Sequence, residues 1–351
     1  MASEKKDHLE VCFENSWYPD FSILRNLNDD KRLVEVKKKV DAKGDDLGIF
    51  LTDSEDADSR CEAEVLVDYC RGTSLEDVES GNGAAGHRRA VWLDDRDSSL
   101  DVQSGTRPYK NPLTATGLIR ALEVPRFNHE HLPDAARRLI YITDLDPACI
   151  HALAATASFH QTTVLRNAMY KHLAFQTSIA VKIPSAGFLT FQLDLHLPFF
   201  LLRKSTPPEE SVGKVNQKPW RRWTDMSFLK IGTSESQEQK PKEVWGIHEV
   251  QTTCVIAGSD DWRWVGYGFV DAEIDGSLTD LSEDDLSFDR IAAGELEANI
   301  PIWRPRDYWL KSFEIRIEQV RREWEYLIHK LELSVNQYVR GQIQSTPNDK
   351  L

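Results

Sequence analysis

Residues 187–198, GFLTFQLDLHLP, decide the fold class. Leu189, Phe191, Leu193, Leu195 and Leu197 fall on one face, and Thr190, Gln192, Asp194 and His196 on the other. Period two over this length predicts a half-buried β-strand, apolar side to the core and polar side to solvent. Immediately upstream, SIAVKI (178–183) reads as a strand, separated from the first by the turn Pro184-Ser185-Ala186-Gly187. Downstream, HEVQTTCVIAG (248–258) and RWVGYGFVD (263–271) are joined by a short Gly-Ser-Asp-Asp link and read as a hairpin. Further upstream, RLIYITDL (138–145) is a β-rich run that stops at Asp146-Pro147. Asp at the N-cap and Pro at the first helical position start a helix, so ACIHALAATASF and then TTVLRNAMYKHLAF (162–175) give two helices. Helices crossing between strands beside a hairpin predict an α/β chain, a mixed β-sheet covered by helices.

From Pro305 to Arg340 no Gly or Pro interrupts a long helical pattern, and Gly341 is read as its stop. Leu310, Phe313, Ile317, Val320, Trp324, Leu327 and Leu331 recur three and four apart, as in a heptad seam. Asp307–Lys311 and Glu318–Arg322 have the spacing of supporting ion pairs. A single long helix usually buries its stripe at home, so packing on the chain's own sheet is expected, with self-association or a protein partner through 306–340 as the alternative.

The remaining sequence is organised around this core. Residues 1–70 read as an N-terminal arm followed by the first elements of the domain, with 33–40, 46–53 and 62–70 as strands or short helices. Residues 71–112 are rich in Gly, Ser, Asp and Pro and read as a disordered loop. Residues 113–303 form the α/β core, with flexible insertions at 204–219 and 232–242, then the helix at 304–340 and a tail at 341–351. The pieces between the polar stretches are too short to stand alone.

Composition narrows the function classes. The formal net charge is −14 over 351 residues, which argues against nucleic acid and anionic membrane surfaces, since both select a basic face. The five cysteines are an odd number without CxxC spacing, so neither a disulfide framework nor a zinc site is expected. The charged N-terminus has no apolar signal core, and no Asn-x-Ser/Thr sequon occurs. The longest apolar stretch, 187–202, is broken by Asp194, His196 and Pro198, so no membrane insertion by this chain and a cytoplasmic location are expected.

Candidate chemistry is confined to carboxylates. Asp144 and Asp146 form a DxD at a strand end and could share one divalent ion, magnesium for instance, whereas helix capping explains the same Asp-Pro pair. Asp271, Glu273 and Asp275 begin an EF-hand-like loop with Gly276 at position six, but position twelve is Ser282 where a bidentate Glu is needed. His151, His160 and His172 are spaced nine and twelve apart and share no helical face. His196 beside Asp194 could be an acid–base pair, and a solvated polar strand face is the plainer reading. Lys218-Pro-Trp-Arg-Arg-Trp223 interleaves bases with aromatics, as cation–π packing at a loop's return to the core would. HExxH, GxSxG, Walker A and GxGxxG are all absent.

Several long strings taken together resemble one family. RRLIYITDLDP, VLRNAMYKHLAFQTSIAVKIPSAGFLTFQLDLHLPFFLLRKS, DDWRWVGYGFVD and IWRPRDYWLKSFEIRIEQVRREWEYLIHKLELSVNQYV are similar to the N-terminal cytosolic region of fungal CorA-like magnesium-transporter-type proteins. The resemblance runs from the DHLEVCFENSWYPDFSILR opening to Val339. It implies an αβα cytosolic domain leading into long helices and two membrane helices with a Gly-Met-Asn signature, a triplet this sequence lacks. The expectation is therefore a soluble, non-catalytic regulatory or interaction module with weak divalent-cation binding. A metal-dependent enzyme built on Asp144/Asp146 is the alternative of another class. A cytosolic fragment of a longer magnesium transporter is the third.

Overall fold

The computed structural model describes residues 19–25, 31–39, 45–51, 57–97, 105–183, 190–205, 214–215, 218–219, 221–229 and 244–345. The turn at 184–187, the insertion at 232–242 and most of the N-terminal arm lie outside them. Alternation in the sequence becomes a mixed sheet of seven strands. The strands are β1 (Val91–Arg96), β2 (Arg137–Thr143), β3 (Ser178–Lys182), β4 (Phe191–Ser205), β7 (Trp223–Asp225), β8 (Val244–Gly258) and β9 (Trp264–Val270), with a separate small hairpin of β5 (Lys214–Val215) and β6 (Lys218–Pro219). Their order is β1-β2-β9-β8-β4-β3, with β7 also on β8. Among the described strands only β2 and β9 run parallel, Thr143 ending opposite Val270. The expected hairpin is β8–β9, in register from Gly258↔Trp264 to Thr252↔Val270.

Helices cover both faces. On one side lie α1 (Leu33–Lys38), α2 (Asp46–Leu51), α3 (Ala57–Tyr69), α4 (Leu75–Ser80), α5 (Ala84–His87), α6 (Ala115–Glu123), α7 (Pro147–Thr156) and α8 (Thr162–Leu173). Leu93, Ile140, Ile142, Val255 and Phe269 of the sheet pack with Leu118, Leu153 and Met169 of this layer. On the other side Tyr141, Leu193, Leu195, Ile256 and Trp264 pack with Tyr308 and Trp309 of the long C-terminal helix. Among the described residues no helix is long and apolar enough to cross a membrane.

Four expectations are corrected. The first is the disordered loop at 71–112. It instead contains α4, α5 and β1, and Val78, Ala85, Val91, Trp92 and Leu93 are buried. Ser74, Asp77, Gly81 and Gly83 are cap residues. Ser74 and Asp77 form a reciprocal capping box, and Gly81 closes α4 at φ 76°. The second is the insertion at 204–219, which is partly strand, since β4 runs through Ser205 and the β5–β6 hairpin lies inside it. The third is Gly341, which does not stop the helix: α10 (Pro305–Ser345, after the one-turn α9, Ala272–Asp275) continues through it, at the modest cost of glycine in a helix interior.

The fourth correction concerns the α10 seam. Self-packing on the sheet is what the fold shows, and Leu310, Phe313, Val320, Leu327 and Leu331 of the seam pack against it, but the most deeply buried positions also include Tyr308, Trp309, Ser312, Ile315, Arg316 and Ser334, outside the seam. Ile317 and Trp324 are each 39% exposed, and Trp324 meets Phe200 edge-on at 6.2 Å. A helix lying across a twisted sheet buries a broad stripe rather than a two-position seam, and here the stripe includes an arginine that hydrophobic patterning cannot mark. Lys311 pairs with Glu314, whereas Glu318 and Arg322 pair as expected. Trp324→Ala is accordingly expected to cost only about 1 kcal/mol, while Leu327→Ala, buried against Leu202, should cost about 2–5 kcal/mol. Thermal melts of the two variants check this order.

Candidate functional site

The carboxyl ends of the parallel pair β2/β9 bring three of the sequence candidates to one edge. Asp144 follows β2 directly, at φ 46°, and its Oδ1 accepts the Ala272 amide at 2.7 Å. Asp271 follows β9, and Glu273 sits two residues further on, in α9. Burial, with Asp271 nearby, raises the Asp144 carboxyl above its ordinary range. Burial, then Asp144 and Asp271, does the same to Glu273, whose Oε1 is 4.0 Å from His248 Nδ1.

The other two candidates are committed elsewhere. Asp146 caps α7, its Oδ1 accepting the Cys149 amide at 2.8 Å, as Asp-Pro predicts. Its Oδ2 accepts from Arg88 Nη1 at 2.7 Å, so both oxygens are engaged within the protein. Arg88 also donates to the Thr143 carbonyl and lies 3.7 Å from Asp144 Oδ2. Asp275 points to the α10 side, where Arg316 donates to both its oxygens and Tyr141 and Gln319 to one each. Residues 272–275 being helical, Asp271, Glu273 and Asp275 diverge instead of lining an EF-hand loop. Among the described residues no group of three or more His, Cys, Asp or Glu side chains is arranged to hold a metal ion.

Asp271 opens onto a buried polar network that sequence reasoning missed. Its Oδ2 accepts from Arg221 Nε at 2.6 Å and from the Gln251 amide at 2.7 Å, and its Oδ1 lies 3.3 Å from His172 Nε2. Burial pushes the carboxyl up, but Arg221 and His172 outweigh it and hold it at about 2. Arg221 also stacks over Phe175 at 5.4 Å, the cation–π packing expected of the 218–223 segment. Thr253 Oγ1 is 3.1 Å from Nδ1 of both His172 and His196. A hydroxyl donates only once. With the Nε2–H of His172 facing Asp271, Nδ1 of His172 accepts from Thr253, which in turn accepts from Nδ1–H of His196.

The polar face of β4 is therefore not solvated, which corrects the sequence reading. Asp194 and His196 are buried under α8 and β8. Asp194 accepts from Gln192 at 2.6 Å and pairs with Lys171 at 3.4 Å and Lys182 at 3.0 Å. Burial raises its carboxyl, and the bonds from Lys182 and Gln192 bring it below the ordinary range. These partners repay the desolvation that alternation alone would have assigned to water. The Asp271–His172–Thr253 order is that of an acid, a base and a hydroxyl nucleophile, yet all three are enclosed, so no substrate carbonyl can reach Thr253. The one sequence signal for the network was Thr252-Thr253 inside an otherwise apolar strand. His151 is buried separately, and burial lowers its imidazole below the ordinary value.

Comparison of the chain with protein-family models, with curated proteins and with solved structures gives no match.

Proposed function

We propose that the chain is a soluble, cytoplasmic, CorA-like module with a regulatory or interaction role, non-catalytic, binding divalent cations weakly. The resemblance of its long strings to that family supports the reading, as does a layered arrangement with helices on both faces of a sheet. The observation that carries the non-catalytic part is the commitment of Asp146, Asp271 and Asp275 to internal partners. Asp144 and Glu273 remain as two partly exposed carboxylates without a cage. An enzyme using Asp144 and Asp146 would have to release Asp146 from both Arg88 and its cap.

Calorimetric titration with magnesium is expected to give a dissociation constant of about 10⁻⁴–10⁻³ M, the range of loosely built sites. Because both carboxyls have raised proton affinity, binding should strengthen as pH rises from the acidic range to neutrality. The double variant Asp144→Asn/Glu273→Gln should remove it while melting no earlier than wild type, since Asn tolerates the left-handed backbone and keeps an acceptor for the Ala272 amide. Submicromolar affinity contradicts the proposal. So does turnover of a nucleotide sugar that Asp144→Ala abolishes.

A further inference from the structure

At the opposite, amino-terminal end of the parallel pair lies a cavity of about 240 Å³. Its wall includes Arg32 before α1, Arg126 after α6, Arg138 of β2, and Ser158 and Gln161 from the α7–α8 connection. Three arginines at one concave place concentrate positive charge and guanidinium N–H groups, which is the chemistry that selects an oxyanion.

The wall is held rigidly. The bonds Leu33 N–H to Ala157 O and Phe159 N–H to Lys31 O, both 3.0 Å, pin Arg32 beside Ser158. Arg126 is fixed by three main-chain carbonyls, those of Ala135, Ala136 and Trp264, at 2.6–2.7 Å. Arg138 binds Asp95 through Nε and Nη2 at 2.8 and 2.7 Å, which leaves both N–H groups of Nη1 and the second of Nη2 to donate. Gln161 accepts from the Tyr267 hydroxyl with Oε1 at 3.2 Å, so its amide is oriented and its NH₂ end is left to donate.

Ser158 points to a ligand independently. It is 6% exposed, and its Oγ has no hydrogen-bond partner among the described residues. A buried hydroxyl left unmatched is costly unless something else occupies the site. Arg32 Nη2 donates to the Glu123 main-chain carbonyl at 3.0 Å, which orients the guanidinium, and the side-chain carboxylates of Glu35 and Glu123, which also line the cavity, are largely exposed and meet Arg32 Nη1 only at 3.5 and 3.8 Å. Exposed pairs of that length contribute little, so an incoming anion can displace them.

We propose that this cavity binds a small molecule through a phosphate group, with Arg32, Arg138, Ser158 and Gln161 as donors. The volume exceeds a bare phosphate, being several times the roughly 30 Å³ that one water occupies, and leaves room for a short organic portion. Nothing in the metal-related reading of the opposite edge bears on this site.

The test uses the full chain, titrated with inorganic phosphate and with glycerol 3-phosphate at constant ionic strength set with chloride. Saturable binding is expected, tighter for the ester than for inorganic phosphate. Arg32→Gln should weaken it at least about tenfold, as loss of a charge-assisted contact does, and Ser158→Ala about fivefold, as loss of a neutral one does. Arg322→Gln, on α10, should bind as wild type does. Ser158→Ala removes only an unmatched hydroxyl and should melt with wild type, so a loss of binding there is not a loss of fold. Absence of saturable binding of both probes overturns the proposal. So does wild-type affinity in Arg32→Gln.

Discussion

Arg316→Ala is expected to destabilise the protein by about 3–5 kcal/mol, the cost of leaving a buried charge unpaired. Arg316 is 1% exposed on the sheet-facing side of α10. It donates to the carbonyls of Arg290 and Ile291 at 2.8 and 2.9 Å and to both oxygens of Asp275. Burial pushes the Asp275 carboxyl up, and Arg316 overrides it and holds it below its ordinary range. Removing the guanidinium leaves the Asp275 charge with only the neutral donors Tyr141 and Gln319 and strands two carbonyls in the same place. Arg316→Met with Asp275→Leu removes both charges and should recover much of the loss, because a matched apolar pair avoids the desolvation penalty. Chemical denaturation of the single and double variants measures both steps. Equal losses in the two would show that the pair is not what joins α10 to the 271–291 segment.

Acid should unfold the protein well before its carboxylates lose their charge. His196 is 1% exposed, and burial pushes its imidazole from 6.5 down to about 3. Burial also lowers His172, despite Asp271. Above pH 6.5 both folded and unfolded chains hold these rings neutral, and the stability is fully present. As pH falls from 6.5 towards 3 the unfolded chain takes up protons that the folded one refuses, and stability is lost. For His196 alone this amounts to about 4–5 kcal/mol at pH 3, at about 1.36 kcal/mol per pH unit. Asp271, held at about 2 against an ordinary 3.8, adds a further loss below pH 3.8. Urea midpoints should therefore fall between pH 7 and pH 4, and His196→Gln should flatten the upper part of that fall. A midpoint constant from pH 7 to pH 4 would contradict the network.

What was legible in the sequence was local. Alternation in 187–198 marked β4, Asp146-Pro147 marked the start of α7, and the Gly258-to-Trp262 link marked the β8–β9 hairpin. What was not legible depended on partners distant in the chain. The polar side of β4 reads as solvated until Lys171 and Lys182 are placed beside Asp194. The α10 stripe reads as a seam through Trp324 until Arg316 is seen to be buried. Residues 71–97 have the composition of a loop because short helices spend so large a share of their length on caps. At the candidate site, Asp144 and Asp271 were separate motifs, and only the parallel pairing of β2 with β9 puts them together. The network through Thr253 joins residues from α8, β4 and β8, a convergence that no spacing along one element encodes.

Asp146, Asp271 and Asp275, at the ends of β2 and β9, serve the fold rather than a metal centre, which leaves only the loose Asp144/Glu273 pair for a cation. Thermal melting of wild type and of Asp271→Asn, each in chelator and in 0.1 mM magnesium, where 0.1 mM is on the order of the tightest affinity expected for a loose site, tests it directly. Wild type is expected to melt at the same temperature within about 1 °C in both solutions, and Asp271→Asn several degrees lower in both. A wild-type melting temperature that climbs several degrees with magnesium, in a protein whose chelated form melts no higher than Asp271→Asn, would contradict it.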